Sequence, residues 1–311
     1  MIGSLSLGLG LGLGPRLKTG LPGIGVPGPR VFLMIGQSNM IGRRAFDGGA
    51  PHPAGVLQWG RAAPNDGILI PASNPLEHVN PTPGHMGLDI TFSIDYVDAN
   101  PENTLILVPA AQGGASLQSG TWMKGGARYE DAVARANLAV AAMPGARFAG
   151  FIWHQGESDA GNASYQAQLD QVIADFRQDV DGADIAPFVL GTFSGGYVGT
   201  DPERIAIRDI IADTPNRVSR TAVVDAADLT VYDGIHFDAV SLRLLGERYF
   251  DAFASLVVIP PVAIGSIPDQ TDLTALTPPV TVGSIPDQTD SVSLTPPSAV
   301  GFIPDQMDVA A

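Results

Sequence analysis

The 311-residue sequence contains no cysteine. That excludes a disulfide framework, a zinc–thiolate site, an iron–sulfur cluster and a cysteine nucleophile. Basic residues are scarce as well, with 17 Lys+Arg against 32 Asp+Glu and a formal charge of −15. An acidic surface opposes nucleic acid or an anionic membrane, so neither is expected as a partner. No apolar run approaches the ~20 residues of a bilayer span, so a soluble protein is expected. Aromatics make up only 7% of the residues, yet 45% are hydrophobic. That is enough for one sizeable α/β core or two smaller domains.

The scarce residues are unevenly spread. Residues 1–30 hold Arg16, Lys18 and Arg30 with no acid, and residues 259–311 hold six aspartates with no base. Thirteen of the 26 prolines fall in these two ends, where they cannot join helix interiors or central strands. The expected organisation is a leader over 1–30, a catalytic domain over 31–258 and a tail over 259–311.

In the leader, Leu5, Leu7, Leu9, Leu11 and Leu13 alternate with serine or glycine, which puts every leucine on one face of an extended strand. The bases follow the leucines and glycine interrupts the apolar run, so no secretory signal is expected. Two readings stand: a sticky edge that docks on a partner or a sister subunit, and a flexible leader. The tail repeats itself. Gly265-Ser266-Ile267-Pro268-Asp269-Gln270-Thr271-Asp272 returns 18 residues later as 283–290, and in degenerate form as 301–308. Such a unit is too short for a domain, and its proline pairs favour an extended path. An attachment or assembly segment and a disordered acidic linker are the two readings. The first suggests virion protein partners or a homo-oligomer, in an extracellular or virion-associated setting.

Between Val31 and Val258, short apolar runs alternate with longer amphipathic stretches, the pattern of a parallel sheet covered by helices on both faces. The expected strands are Val31–Ile35, Thr104–Val108, Phe148–Trp153, Phe188–Thr192 and Thr221–Val224. Helical stripes run through Ala132–Met143 and Tyr165–Val180, a shorter helix is expected over Leu88–Val97, and another over Ala239–Leu256. Five strands with crossover helices predict a flavodoxin-like three-layer sandwich whose function gathers at the carboxyl ends of the strands.

Four polar clusters lie at those ends: Gly36-Gln37-Ser38-Asn39-Met40, Gln112-Gly113-Gly114-Ala115-Ser116, His154-Gln155-Gly156-Glu157-Ser158-Asp159, and Asp233-Gly234-Ile235-His236. Turns and helix caps explain any one of them. All four together point to acyl transfer. A serine hydroxyl needs an imidazole to accept its proton, and the imidazole needs a carboxylate to orient it and stabilise its charge. Ser38, His236 and Asp233 can fill these roles. The Ser38 N–H, the Gly114 N–H and the Gln155 side-chain amide are candidate oxyanion donors, and no metal or cofactor is needed.

Taken together, these blocks, with Trp122 after Gly-Gly-Ala-Ser and Trp153 before His154, resemble the SGNH hydrolase superfamily. Within it the match is to the sialate O-acetylesterase-like group that includes the acetylxylan esterases of carbohydrate esterase family 6. The resemblance spans about residues 31–257. It implies Ser38 as nucleophile, His236 as base, Asp233 as its acid, and Gly114 and Gln155 as oxyanion donors. The third block departs from the superfamily pattern, with Gln-Gly-Glu in place of Gly-x-Asn-Asp, which makes Glu157 a rival or auxiliary acid.

The implied function is a serine esterase that removes O-acetyl groups from an acetylated carbohydrate, carried on a phage particle in one version. The alternatives are a lipid or aryl esterase and a structural virion protein whose domain only binds glycan. Gln37 and Asn39 flank the serine as auxiliary or substrate-binding candidates. His154 is either a pocket wall or a buried histidine. Glu157 is read first as a carboxylate that holds the nucleophile loop, and Trp122 as either a sugar-stacking face or core.

Overall fold

The computed structural model describes residues 27–257. The leader strand and the repeat tail lie outside the described residues. In chain order the strands are β1 (Arg30–Gly36), β2 (Arg44–Ala45), β3 (Leu57–Trp59), β4 (Leu69–Pro71), β5 (His85–Met86), β6 (Leu105–Pro109), β7 (Arg147–His154), β8 (Phe188–Gly191) and β9 (Thr221–Val224). The helices are α1 (Ser38–Ile41), α2 (Asp89–Ala99), α3 (Ala127–Ala141), α4 (Tyr165–Asp179), α5 (Gly195–Val198), α6 (Pro202–Ala212), α7 (Thr214–Arg217) and α8 (Ala239–Val257).

Seven strands form the main sheet in the order β4-β3-β6-β1-β7-β8-β9, and β2 pairs with β5 in a separate ribbon. Every main-sheet pairing is parallel except β3 with β4. The five expected strands form the contiguous block β6-β1-β7-β8-β9, the 2-1-3-4-5 order of a flavodoxin-like sheet. The sheet exceeds expectation by β3 and β4, which come from the loop-rich stretch between α1 and α2. Each has three residues, too few to show a period in sequence, and Pro71 lies on the outermost strand, where its missing N–H removes no sheet bond.

The alternation of β1 divides two cores. Val31, Leu33 and Ile35 face one side with α3 and α4, while Phe32 and Met34 face the other with α2 and α8. All seven residues of β1 are buried, as expected for a strand covered on both faces. On the second side Phe32 meets Phe92, Tyr96 and Phe253 edge-on at 4.9–5.3 Å, a favoured geometry for aromatic rings. On the first side α6 is started by Asp201, whose carboxylate accepts from Glu203 and Arg204 N–H, with Pro202 in the first turn.

The crossovers leave β1 in opposite directions, to β6 on one flank and β7 on the other. A crevice therefore opens at the carboxyl end of β1, where the chain order reverses. Ser38 stands in that crevice.

Candidate active site

The turn out of β1 is set by close backbone approach. Gly36 has φ +138°, and a Cβ there would lie 2.1 Å from the His154 carbonyl oxygen. Only glycine lets β1 and β7 meet at this point. The next N–H, of Gln37, donates to that same carbonyl at 3.0 Å. Ser38 follows as the first residue of α1 and is 7% exposed.

Its hydroxyl lies 3.0 Å from His236 Nε2. On the far side of the imidazole, Nδ1 is 2.7 Å from Asp233 Oδ2. Asp233 Oδ1 accepts the backbone N–H of Ile235 at 3.1 Å and of His236 at 2.8 Å. One carboxylate thus builds the turn and orients the ring. Burial alone would raise the Asp233 carboxyl, but the hydrogen bonds from His236 and Ile235 outweigh it and hold the group down at about 2. Its side chain is 36% exposed and that of His236 22%, so the array opens to solvent.

Asn39 joins the nucleophile turn to the histidine loop. Its amide donates to Ile235 O at 3.1 Å and to Glu157 Oε1 at 2.6 Å, and its carbonyl accepts from Phe237 N–H at 3.2 Å. Glu157 therefore acts on Asn39, and it makes no hydrogen bond to His236. Burial pushes its carboxyl up, against the pull of the Asn39 bond.

The Gly114 N–H and the Ser38 N–H donate to no other described group. Gly114 has φ +75° and lies on an exposed turn. The turn is tied back to β1 by Gln112 N–H donating to Gly36 O at 3.2 Å, and to the loop before β5 by Gly113 N–H donating to Asn80 Oδ1 at 2.9 Å. Arg43, half-buried, donates to Asn80 O and Thr82 Oγ1, both at 3.0 Å, and so braces the same loop.

Gln155 is placed differently from the sequence expectation. It is fully buried, and its amide nitrogen donates to Asp159 Oδ2 at 2.5 Å, with Gln37 Oε1 and Ala115 O at 3.3 Å. Both amide hydrogens are thus engaged inside the protein, and the side chain offers no free donor to an oxyanion. The strong acceptor four residues on is the reason. Asp159 also accepts from Leu117 and Gln118 N–H at 2.9 and 2.8 Å, and so carries the Gly113–Gly114 loop. Asp159 was not singled out from sequence, although its place in the block after β7 was a usable signal.

Two further candidates are withdrawn from the crevice by burial. Trp122 has no exposed surface and packs edge-on against Trp153 at 5.7 Å, as core. His154 also lacks exposure, so it walls no open pocket. Its Nδ1–H donates to the Tyr249 hydroxyl at 3.0 Å, which in turn donates to Trp153 O at 2.7 Å. Burial holds the His154 imidazole neutral, down to about 3. Gln37, also buried, accepts from Gln155 and from Ser158 N–H at 3.3 Å. Tyr232 was missed: its ring lies 6.3 Å from that of His236, and its hydroxyl donates to Arg43 O at 2.9 Å.

The model of a family described as carbohydrate esterase, sialic acid-specific acetylesterase, matches residues 29–255. A protein named "Probable carbohydrate esterase" from Arabidopsis thaliana is 26% identical over 256 residues, covering 74% of this chain and 92% of the relative. In fold, the chain resembles an Arabidopsis thaliana crystal structure, with TM-score 0.63 and 22% identity over 75% of this chain and 100% of that one. It also resembles NanS, with TM-score 0.63 and 19% identity over 74% and 98% of the two chains. A carbohydrate acetylesterase from Xanthomonas citri gives TM-score 0.56 and 17% identity over 74% of this chain and 56% of that one. With the family model covering most of its length, the chain belongs to this family of carbohydrate acetylesterases and is a carboxylic ester hydrolase.

Proposed function

We propose that hydrolysis runs through Ser38, His236 and Asp233, and that the ester is an O-acetyl group on a carbohydrate. The observation that carries the proposal is the unbroken hydrogen-bond chain from the Ser38 hydroxyl through His236 to Asp233. His236 Nε2 takes the Ser38 proton as the oxygen bonds to the acetyl carbonyl carbon. Asp233, ionised down to about pH 2, stabilises the imidazolium. The negative charge formed on the carbonyl oxygen faces the Ser38 and Gly114 N–H groups. His236 then protonates the sugar oxygen as its bond to the acetyl carbon breaks, and the sugar leaves as the free alcohol with the acetyl group on Ser38. Water, deprotonated by the same imidazole, attacks the acetyl-enzyme, acetate leaves and Ser38 regains its proton.

Ser38→Ala is expected to abolish turnover of p-nitrophenyl acetate; a variant as fast as the parent would refute the mechanism. A series of acyl esters separates the sugar esterase from a lipid or aryl esterase, because strict acetate preference supports the former and tolerance of long chains the latter.

Carriage on a phage particle is the finer part of the proposal, supported by the 18-residue repeat and the Leu/Gly leader, which catalysis does not require. Deleting residues 259–311 should leave small-ester turnover intact while abolishing incorporation into particles. Normal incorporation of the truncated chain would refute it.

A further inference from the structure

The backbone N–H and C=O groups of a strand point alternately to its two neighbours, and each needs a partner once buried. Beyond β6 the chain keeps this alternation on the β1 side. Ala110 N–H donates to Met34 O at 2.9 Å and Gln112 N–H to Gly36 O at 3.2 Å. On the other side the neighbouring strand runs out, because β3 pairs with β6 only at Leu57–Ile106 and Gln58–Leu107. Ala111 and Gly113 therefore face a flank that no described strand lines.

Residues 78–80 take the place of that strand. Val79 N–H donates to Ala111 O at 3.1 Å, and Gly113 N–H donates to Asn80 Oδ1 at 2.9 Å. Between these bonds the N–H of Ala111, a fully buried residue, donates to His78 Nδ1 at 3.1 Å. A side chain thus completes a ladder of backbone bonds. The bond fixes the tautomer, since Nδ1 must offer its lone pair and the proton of the neutral ring then sits on Nε2. Burial keeps the ring neutral, with its pKa down to about 3. Nε2 has no hydrogen-bond partner among the described residues. Leucine or phenylalanine would fill the space without burying a polar edge, so what histidine adds is the acceptor for Ala111.

The place of that acceptor bears on the chemistry. Gly114 lies three residues past Ala111, and the far end of the same turn is held by Asp159 through Leu117 and Gln118 N–H. The Gly114 N–H is bracketed by the two anchors. The Asn80 bond is exposed and competes with water, whereas the His78 bond is buried and does not. We propose that His78 is a positioning residue of the esterase reaction: its Nδ1 lone pair, by holding Ala111 N–H, aims the Gly114 N–H at the oxyanion. This rests on the serine-esterase reading above. Being buried, His78 reaches no substrate and acts only through the loop.

The test compares three variants of the full chain on p-nitrophenyl acetate, with circular dichroism and Tm as the measure of folding. His78→Asn places its side-chain oxygen where Nδ1 stood, His78→Gln places its amide near the site of Nε2, and His78→Leu offers no acceptor. His78→Leu is expected to lower kcat by about tenfold with KM within about twofold, because the oxyanion donor is displaced rather than lost. His78→Gln should resemble it. His78→Asn should stay within about threefold of the parent, because the acceptor is restored. Affinity for a boronic acid, which adds to the serine oxygen as a tetrahedral anion, should fall in step with kcat. Equal losses in His78→Asn and His78→Leu, an unchanged kcat in folded His78→Leu, or boronate affinity that does not follow kcat overturns the inference. If the variants fail to fold, histidine nitrogen NMR of the parent decides: a bare Nδ1 bonded to the Ala111 amide supports the inference and a protonated Nδ1 overturns it. Where the parent cleaves the ester and Ser38→Ala does not, the esterase reading survives any of these failures. No cleavage by the parent, or full cleavage by Ser38→Ala, overturns both.

Discussion

The chain carries two acid–histidine pairs three residues apart, one Asp before His and one His before Glu, and they have opposite characters. Asp233 and His236 sit three residues apart on a half-open loop with 2.7 Å between them. His154 and Glu157, also three apart, are buried with 3.7 Å between Nε2 and Oε1. In the open pair, the His236 ring and two backbone N–H groups hold the carboxylate ionised by their hydrogen bonds. In the buried pair, desolvation pushes the acid's pKa up and brings the imidazole's down to about 3. A proton relay needs a charge that can appear and be stabilised during the reaction, which is why the proposed mechanism uses the first pair. The second serves as a brace, through Asn39 and Tyr249.

Removing the relay's target has the largest effect. Ser38→Ala is expected to lower kcat by about 10⁴-fold or more, read with a chromogenic acetate ester. The comparison is then tested by one chemical change made in both pairs. Asp233→Asn should lower kcat by about 10³-fold, because the amide cannot stabilise the imidazolium. Glu157→Gln should stay within about threefold of the parent, because the side-chain carbonyl still accepts from Asn39. Equal losses in the two variants would erase the distinction. Glu157→Ala, which leaves the Asn39 amide with only Ile235 O as acceptor, is expected to cost about 1–3 kcal/mol of stability and to lower kcat by about tenfold, while the pH profile keeps its shape. A displaced profile would instead give Glu157 a part in proton transfer.

The smallest expected effect is in stability against pH. His154 and His78 are both held neutral by burial, down to about 3, whereas unfolded histidine takes its proton near 6.5. The unfolded chain therefore binds more protons below that pH. The stabilisation is complete above about pH 6.5 and is lost as pH falls toward 3, at a limiting slope of roughly 1.4 kcal/mol per pH unit for each histidine. Urea midpoints across this window should fall more gently in His154→Gln. An unchanged slope would mean that His154 is charged in the fold.

Much of this was legible before any coordinates. The five parallel strands were, because strands buried on both faces are written as unbroken apolar runs such as Val31–Ile35. Strands β3 and β4 were not, because three residues carry no period and their neighbourhood is rich in proline and glycine. In the site, Ser38, Asp233 and His236 were marked by their places beyond strand ends. The roles of Gln155 and Trp122 were beyond the reach of sequence, since each depends on which way a side chain turns. Asp159 draws the Gln155 amide inward, and Trp153 offers Trp122 an apolar partner. Arg44 and Tyr232 form a contact across 188 residues of chain that no local pattern announces.

The hydrogen bond between Ser38 and His236 spans 198 positions of sequence. At about 5–20 residues per second of synthesis, roughly 10–40 s separate the two residues on the ribosome. During that interval the nascent chain carries Ser38 without His236, so the proposed mechanism cannot run. On the proposed mechanism, hydrolysis then begins only when nearly all of the domain has been made, and its onset reports completion of the fold.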